Sequence, residues 1–350
     1  MKILQEIEAF LGEGQVKTQE SLAKHTTLGI GGPADFFYQA KTEKGLIQAI
    51  KVAKRLNLPY FILGGGSNIL ISDKGIRGLV IKNLIQGFSF KAFSEKFTPP
   101  LIKSRLVQLE PEKYLEAKKQ PQSSCKKNPY FLVTVGSGWR LNSLINHCLD
   151  KGLVGLEWFG GIPGTIGGAI YMNIHGGHYF FSDFVYGVRV WDFKTQKTKY
   201  LPAEKLTFAY DYSLLQKEPM VILTADLILG KGNVVKARRT YQDWLRKKSQ
   251  VQPARSCGSV WQNLTDKIRK EQDLPTSSVG YLIDKKLQLK GKRLGRAQVS
   301  LKHAGFIENL GRARASDVLK LMCLVEEQAK EKLGIDLKRE VILKGDFNNG

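Results

Sequence analysis

Gly160-Gly161-Ile162-Pro163-Gly164-Thr165-Ile166-Gly167-Gly168 is too rich in glycine to serve helix or strand propensity. Glycine lets a main chain approach a ligand closely, and proline fixes one φ angle while removing one donor. A loop built this way presents its remaining N–H groups to an anion. A second such loop, Gly64-Gly65-Gly66-Ser67-Asn68, follows the apolar run Tyr60-Phe61-Ile62-Leu63, which reads as a buried strand. Two backbone cradles in one chain point to a large phosphorylated ligand. Gly64–Asn68 is not a nucleotide-triphosphatase loop, because no lysine follows its glycines to clamp a terminal phosphate. Gly29-Ile30-Gly31-Gly32-Pro33-Ala34 matches a dinucleotide fingerprint only superficially, since Pro33 interrupts it.

Working outward, residues 1 to about 85 read as a β/α unit. Phe36 to Tyr38, Tyr60 to Leu63 and Leu79 to Ile81 are strand-like, and Thr42 caps a helix running to about Arg55. From about 90 to 130, prolines and lysines mark a long surface excursion. A strand over Phe131 to Val135 leads through Gly136-Ser137-Gly138 into a helix over Leu141 to Asp150. Beyond the glycine–proline run, Val185 to Trp191 and Val221 to Leu229 read as strands, and Val235 to Lys248 as a basic helix. The last hundred residues mix strands (Ser259 to Trp261, Ala297 to Ser300, Val341 to Leu343) with a helix. Its apolar positions Val318, Leu321, Met322 and Val325 recur at helical spacing.

The 350 residues, 42% hydrophobic, suffice for two or three cores. No apolar run approaches the roughly 20 residues needed to cross a bilayer, so a cytoplasmic protein without membrane insertion is expected. Cys125, Cys148, Cys257 and Cys323 are scattered, which predicts reduced thiols and neither a disulfide framework nor a metal site. The net charge of +22 attracts polyanions. Yet the basic residues are dispersed and no nucleic-acid recognition motif accompanies them, so a small polyanionic substrate suits the charge and no nucleic-acid partner is expected.

The segments Thr26 to Asp35, Leu63 to Ile71, Gly152 to Asn173, Ser256 to Asn263 and Gly291 to Asn309 resemble, in order, the UDP-N-acetylenolpyruvoylglucosamine reductase family, in its shorter, type II form. The resemblance covers the chain except for residues about 90 to 130. It implies an α+β protein with a two-part PCMH-type FAD-binding region followed by a C-terminal α+β substrate-binding domain. The divisions expected are residues 1–85, 86–236 and 237–350. It implies non-covalent FAD, NADPH as hydride donor, and reduction of UDP-N-acetylglucosamine enolpyruvate to UDP-N-acetylmuramate for peptidoglycan. Gly64, Gly65, Gly66, Ser67 and Asn68, with Ile162, Pro163, Gly164, Thr165 and Gly168, then become the cofactor-binding residues.

The same resemblance assigns Ser259 as proton donor, Glu340 as the second catalytic residue, and Asn263, His303 and Asn309 to the substrate pocket. Read without it, Ser259 is a strand serine, Glu340 a surface ion-pair partner beside Lys338 and Arg339, and His303 a core histidine. Two departures stand out. Where the family has an arginine facing the substrate carboxylate, this chain has Asp211. A unit charge pair at about 4 Å is worth roughly 4 kcal/mol at an effective dielectric of 20, so reversing the sign costs nearly twice that unless something compensates. Another cation such as Arg189 or Arg246 takes over, Asp211 is held protonated, or the reductase step is altered or impaired in a flavoprotein of the same fold. The family's N-A-G-A-x-G is also replaced by Asn173-Ile174-His175-Gly176-Gly177-His178.

Overall fold

The structure is a computed structural model that describes residues 2–93 and 130–347. Nearly all of the Lys/Pro-rich excursion, and Cys125, lie outside the described residues. Two compact units emerge. One comprises Met1–Gln39, Gln48–Lys82 and Ser249–Gly350, the other Ala40–Ile47 and Asn83–Lys248.

The amino-terminal elements are α1 (Lys2–Leu11), β1 (Val16–Ser21), β2 (Pro33–Ala40), α2 (Glu43–Arg55), β3 (Tyr60–Leu63), β4 (Ile69–Ile71) and β5 (Ile76–Asn83). The Thr42 hydroxyl accepts the Gly45 amide at 3.0 Å, as expected of a cap, and Glu43 against Lys54 and Arg55 complements the dipole of α2. A four-stranded sheet runs in the order β1-β2-β5-β3, antiparallel at β1/β2 and parallel at β3/β5. Leu22, Phe37, Leu63, Ile71 and Val80 form its core.

The second unit is built on a sheet of β6 (Phe88–Ala92), β7 (Tyr130–Gly136), β8 (Leu153–Val154), β11 (Val185–Asp192), β12 (Lys197–Pro202) and β13 (Met220–Lys231). Its strand order is β12-β11-β13-β7-β6, all antiparallel, with β8 on the end of β13. Val133 and Val135, Val188 and Val190, and Ala225 and Leu227 are spaced by two, so each pair shares a sheet face. They join a core with Leu141, Leu144 and Ile145 of α3 (Leu141–Asp150) and Ile166 and Ile170 of α4 (Ile166–Met172). A short hairpin of β9 (His175–Gly176) and β10 (Tyr179–Phe180) follows α4, and α5 (Val234–Val251) follows β13.

The carboxy-terminal elements belong to the first unit. They include a three-stranded sheet of β14 (Arg293–Leu294), β15 (Ala297–Val299) and β16 (Ile307–Asn309), then α6 (Ala315–Leu333) and β17 (Ile342–Lys344). Val318, Leu321, Met322 and Val325 of α6 are all buried, as their spacing predicts. They pack with Leu28, Ile30, Leu70 and the fully buried Trp261. Strand β17 pairs in parallel with β4, Ile342 opposite Ile69.

The expected strand over Ser259 to Trp261 is not formed. Val260 divides its backbone between neighbours: its amide donates to Gly305 O at 2.8 Å, and its carbonyl accepts from Glu340 N at 2.8 Å and Val341 N at 3.3 Å. Only a single antiparallel bridge, Trp261 to Arg339, remains.

Candidate active site

In the first unit, the Gly64–Asn68 loop links β3 to β4. Gly66 has φ +71°, and a Cβ there would collide with the carbonyl of His25. The loop is fixed from outside by Thr27, whose amide donates to Gly66 O at 3.0 Å and whose hydroxyl donates to Ser256 O at 2.7 Å. Thr27 lies within the Thr26 to Asp35 segment that carries the resemblance, but no role was expected of it. Asn68 Nδ2 donates to Glu340 O at 3.2 Å, and Asn68 O accepts from Ile342 N at 3.2 Å. That side chain, expected as a phosphate donor, gives one of its two N–H bonds to the segment carrying Glu340.

Ser259 and Glu340 flank one backbone crossing, because the Glu340 amide meets the carbonyl of the residue after Ser259. The Ser259 hydroxyl donates to Trp261 O at 2.8 Å. A Cβ added at Gly305 would lie 3.5 Å from Ser259 Oγ and 3.1 Å from the His303 ring, so both side chains border the same point. His303 Nδ1 accepts the Gly305 amide at 3.1 Å, which puts the proton of the neutral ring on Nε2. Asn263 is exposed, and its Oδ1 accepts from Val279 N at 3.3 Å. Asn309 is only 7% exposed and serves the backbone: Nδ2 donates to Leu28 O, while Oδ1 accepts from Gly311 and Ala313. Its amide fastens the 26–31 turn to β16. Burial pushes the Cys257 thiol up to about 12, with the Glu340 carboxylate adding to the shift, so this thiol stays protonated and inert.

In the second unit, the glycine–proline run leads into α4, whose N-cap Thr165 accepts from Gly168 N. Asn142 of α3 pins the run from below, Nδ2 donating to Ile162 O at 2.8 Å and Oδ1 accepting from Gly161 N at 2.9 Å. Most amides of the run are already used. Ile162 donates to Phe159 O, Ile166 to Trp139 O and Gly167 to Ser137 O. The amides of Gly164 and Thr165 have no partner among the described residues. The anion cradle expected over Ile162–Gly168 thus narrows to two adjacent donors at the mouth of α4. Two open amides at a helix start are suited to accept an anion.

Beyond α4, Asn173 (φ +46°) turns the chain, its side chain bonded to Ala209 O and Ser182 N. Asp211 lies here, 7% exposed and with φ +50°, its backbone carbonyl held by Gln216 Nε2 at 2.9 Å. His175 Nδ1 is 4.0 Å from Asp211 Oδ1, and the Tyr210 ring stacks on the imidazole. Arg189, one expected substitute cation, is bonded to Glu43, and Arg246 sits 3.9 Å from Asp243. His175 is a group beside Asp211 that carries positive charge when protonated. The other histidine of this stretch, His178, lies 6.4 Å from the Trp158 ring. Asp183 caps the Phe180 amide at 2.9 Å, and burial raises its carboxyl to about 6 against the pull of that bond.

Comparison with known proteins agrees with this arrangement. Residues 250–343 match the UDP-N-acetylenolpyruvoylglucosamine reductase C-terminal domain, and residues 125–197 match an FAD binding domain. The UDP-N-acetylenolpyruvoylglucosamine reductase of Lachnoclostridium phytofermentans is 33% identical over 356 residues, covering 99% of this chain and 98% of that relative. That of Anoxybacillus flavithermus is 33% identical over 336 residues, 95% of each. A crystal structure of the Thermus caldophilus enzyme superposes with a TM-score of 0.68 at 27% identity, covering 95% of this chain and 99% of that one. The architecture is the α+β arrangement of a PCMH-type FAD-binding region followed by the reductase C-terminal domain. The chain belongs to the UDP-N-acetylenolpyruvoylglucosamine reductase family.

Proposed function

We propose that this protein reduces UDP-N-acetylglucosamine enolpyruvate to UDP-N-acetylmuramate, an FAD-dependent oxidoreductase step with NADPH as donor in peptidoglycan precursor synthesis. Full-length identity to reductases carries the reading. Among the described residues no helix is long and apolar enough to cross a membrane, and NADPH and UDP-sugar chemistry suits the cytoplasm. The functional divisions we propose are residues 1–85 and 86–236 for the flavin and 237–350 for the UDP-sugar.

Gly64 to Asn68 and Ile162 to Gly168 are the residues we assign to FAD, the Gly164 and Thr165 amides being open donors of the second stretch. Bound flavin supplies two-electron hydride transfer between NADPH and the enolpyruvyl double bond. Hydride addition leaves negative charge on the carbon beside the substrate carboxylate, and that carbon needs a proton. Ser259 would give it once its hydroxyl turns from Trp261 O. A serine is a weak acid, but an enolate carbon is basic enough to take its proton. Glu340, one backbone bond from the Ser259 segment, would orient water or polarise the carboxylate. His303 and Asn263 would line the sugar pocket, with Asn309 holding the turn that closes it.

A second reading, the same fold with altered substrate or impaired chemistry, is carried by Asp211, a buried carboxylate turned toward His175. Asp211→Arg separates the two. Unchanged or lower turnover means that this chain has its own arrangement, and a large gain means that the native site is compromised. The test of the main reading is direct. Purified protein is expected to be yellow and its reduced flavin to be reoxidised by the enolpyruvyl substrate; colourless protein that cannot be reconstituted with FAD overturns it.

A further inference from the structure

We propose that Glu326, on α6, is a positioning residue that sets the geometry of Ser259 and Glu340 through Trp261 and Arg339. The proposal rests on the reading of Ser259 as proton donor given above. One carboxylate serves two residues. Glu326 Oε1 accepts the Trp261 indole N–H at 2.8 Å, and the same carboxylate takes a two-pronged bond from Arg339, Nε to Oε1 at 2.7 Å and Nη2 to Oε2 at 2.6 Å. Trp261 lies two residues after Ser259, and Arg339 immediately precedes Glu340.

The backbone alone holds these segments weakly. They share one bridge, Trp261 to Arg339, supported by Gln262 N to Lys338 O at 2.9 Å and Glu340 N to Val260 O at 2.8 Å. So short a pairing leaves its register dependent on side chains as well, because a one-residue slip would send each side chain to the opposite face. The fork of Arg339 on Glu326 is rigid, directional and charge-assisted, and the indole N–H of a fully buried tryptophan requires an acceptor. Both fix the bridge to α6, itself anchored by its apolar stripe. The consequence reaches the hydroxyl, because the Ser259 proton rests on the carbonyl of Trp261. Displacing Trp261 moves the acceptor that orients Ser259, and displacing Arg339 moves Glu340.

The two half-reactions provide the test, because only reoxidation needs the serine proton. Stopped-flow absorbance of the holoenzyme would follow flavin reduction by NADPH and reoxidation by the enolpyruvyl substrate in Glu326→Leu, Glu326→Gln and Ser259→Ala. Reduction is expected to stay within about twofold in all three, while reoxidation slows by at least about tenfold in Glu326→Leu. Glu326→Gln keeps an acceptor for the indole and loses the charge, so an intermediate loss is expected, and this near-isosteric variant carries the test if the leucine variant fails to fold. Wild-type reoxidation in the Glu326 variants, or equal slowing of both half-reactions, overturns the positioning role while a slow Ser259→Ala leaves the serine assignment intact. Wild-type reoxidation in Ser259→Ala overturns the serine assignment itself.

Discussion

Ser259 carries the chemistry proposed for this chain, and its surroundings show what that demands of one hydroxyl. It donates to a backbone carbonyl at 2.8 Å and borders His303 at Gly305, an arrangement that holds the proton without trapping it in a charged pair. Ser259→Ala is expected to slow flavin reoxidation by about 10²- to 10⁴-fold, as loss of a general acid does, leaving reduction by NADPH unaffected. Asp183 sets a pH response of a different kind. Its carboxyl is raised by burial from 3.8 to about 6, so the folded protein binds that proton more tightly than the unfolded chain. Stability therefore falls as pH rises through that window and stays lowered above it. Asp183→Asn, which keeps an acceptor for the Phe180 amide, is expected to raise Tm by about 2 °C at pH 8 and to change it little at pH 4, measured by calorimetry.

At the scale of elements, the binding proposed here falls to loops and a helix start that the sheets hold in place. Gly66 cannot accept a side chain without moving the His25 carbonyl, and its φ of +71° disfavours one besides. Gly66→Ala is expected to cost more than about 1 kcal/mol in stability and to lower the flavin absorbance per protein; full flavin content at an unchanged Tm would show that the loop is not the cradle proposed. Elements with a local signature were legible in the sequence. Thr42 caps α2, α3 spans Leu141–Asp150, and the apolar stripe of α6 is buried, because capping and periodicity act within one or two turns. What could not be read was set by residues far apart in the chain. The Val260 carbonyl belongs to Glu340 and Val341, so Ser259–Trp261 never forms a ladder. Asp73 caps α6 through Ala315 and Ser316, and Glu326 joins Trp261 to Arg339, pairings that no spacing announces. The glycine–proline run reads as a candidate anion loop, yet which of its amides stay open depends on Ser137 and Trp139, which engage Gly167 and Ile166.

For the molecule as a whole, sequence order and compact units do not coincide: the amino- and carboxy-terminal stretches form one unit, and Ala40–Ile47 with Asn83–Lys248 form the other. That arrangement brings the Gly64–Asn68 loop, Ser259, His303 and Glu340 into a single unit although about 270 residues separate the first from the last. The net charge of +22 favours a substrate bearing a diphosphate and a carboxylate. Association with duplex DNA is expected to disappear by physiological salt while turnover persists, and salt-resistant DNA binding in a shift assay would contradict this. The central claim, a flavoenzyme that reduces an enolpyruvyl UDP-sugar, is tested most directly by one measurement: the visible spectrum of the purified protein, reduced with NADPH and followed through a single turnover with UDP-N-acetylglucosamine enolpyruvate. A bound-flavin spectrum that bleaches with NADPH and returns on addition of the substrate is the predicted result; a reduced flavin that the substrate leaves bleached would contradict it.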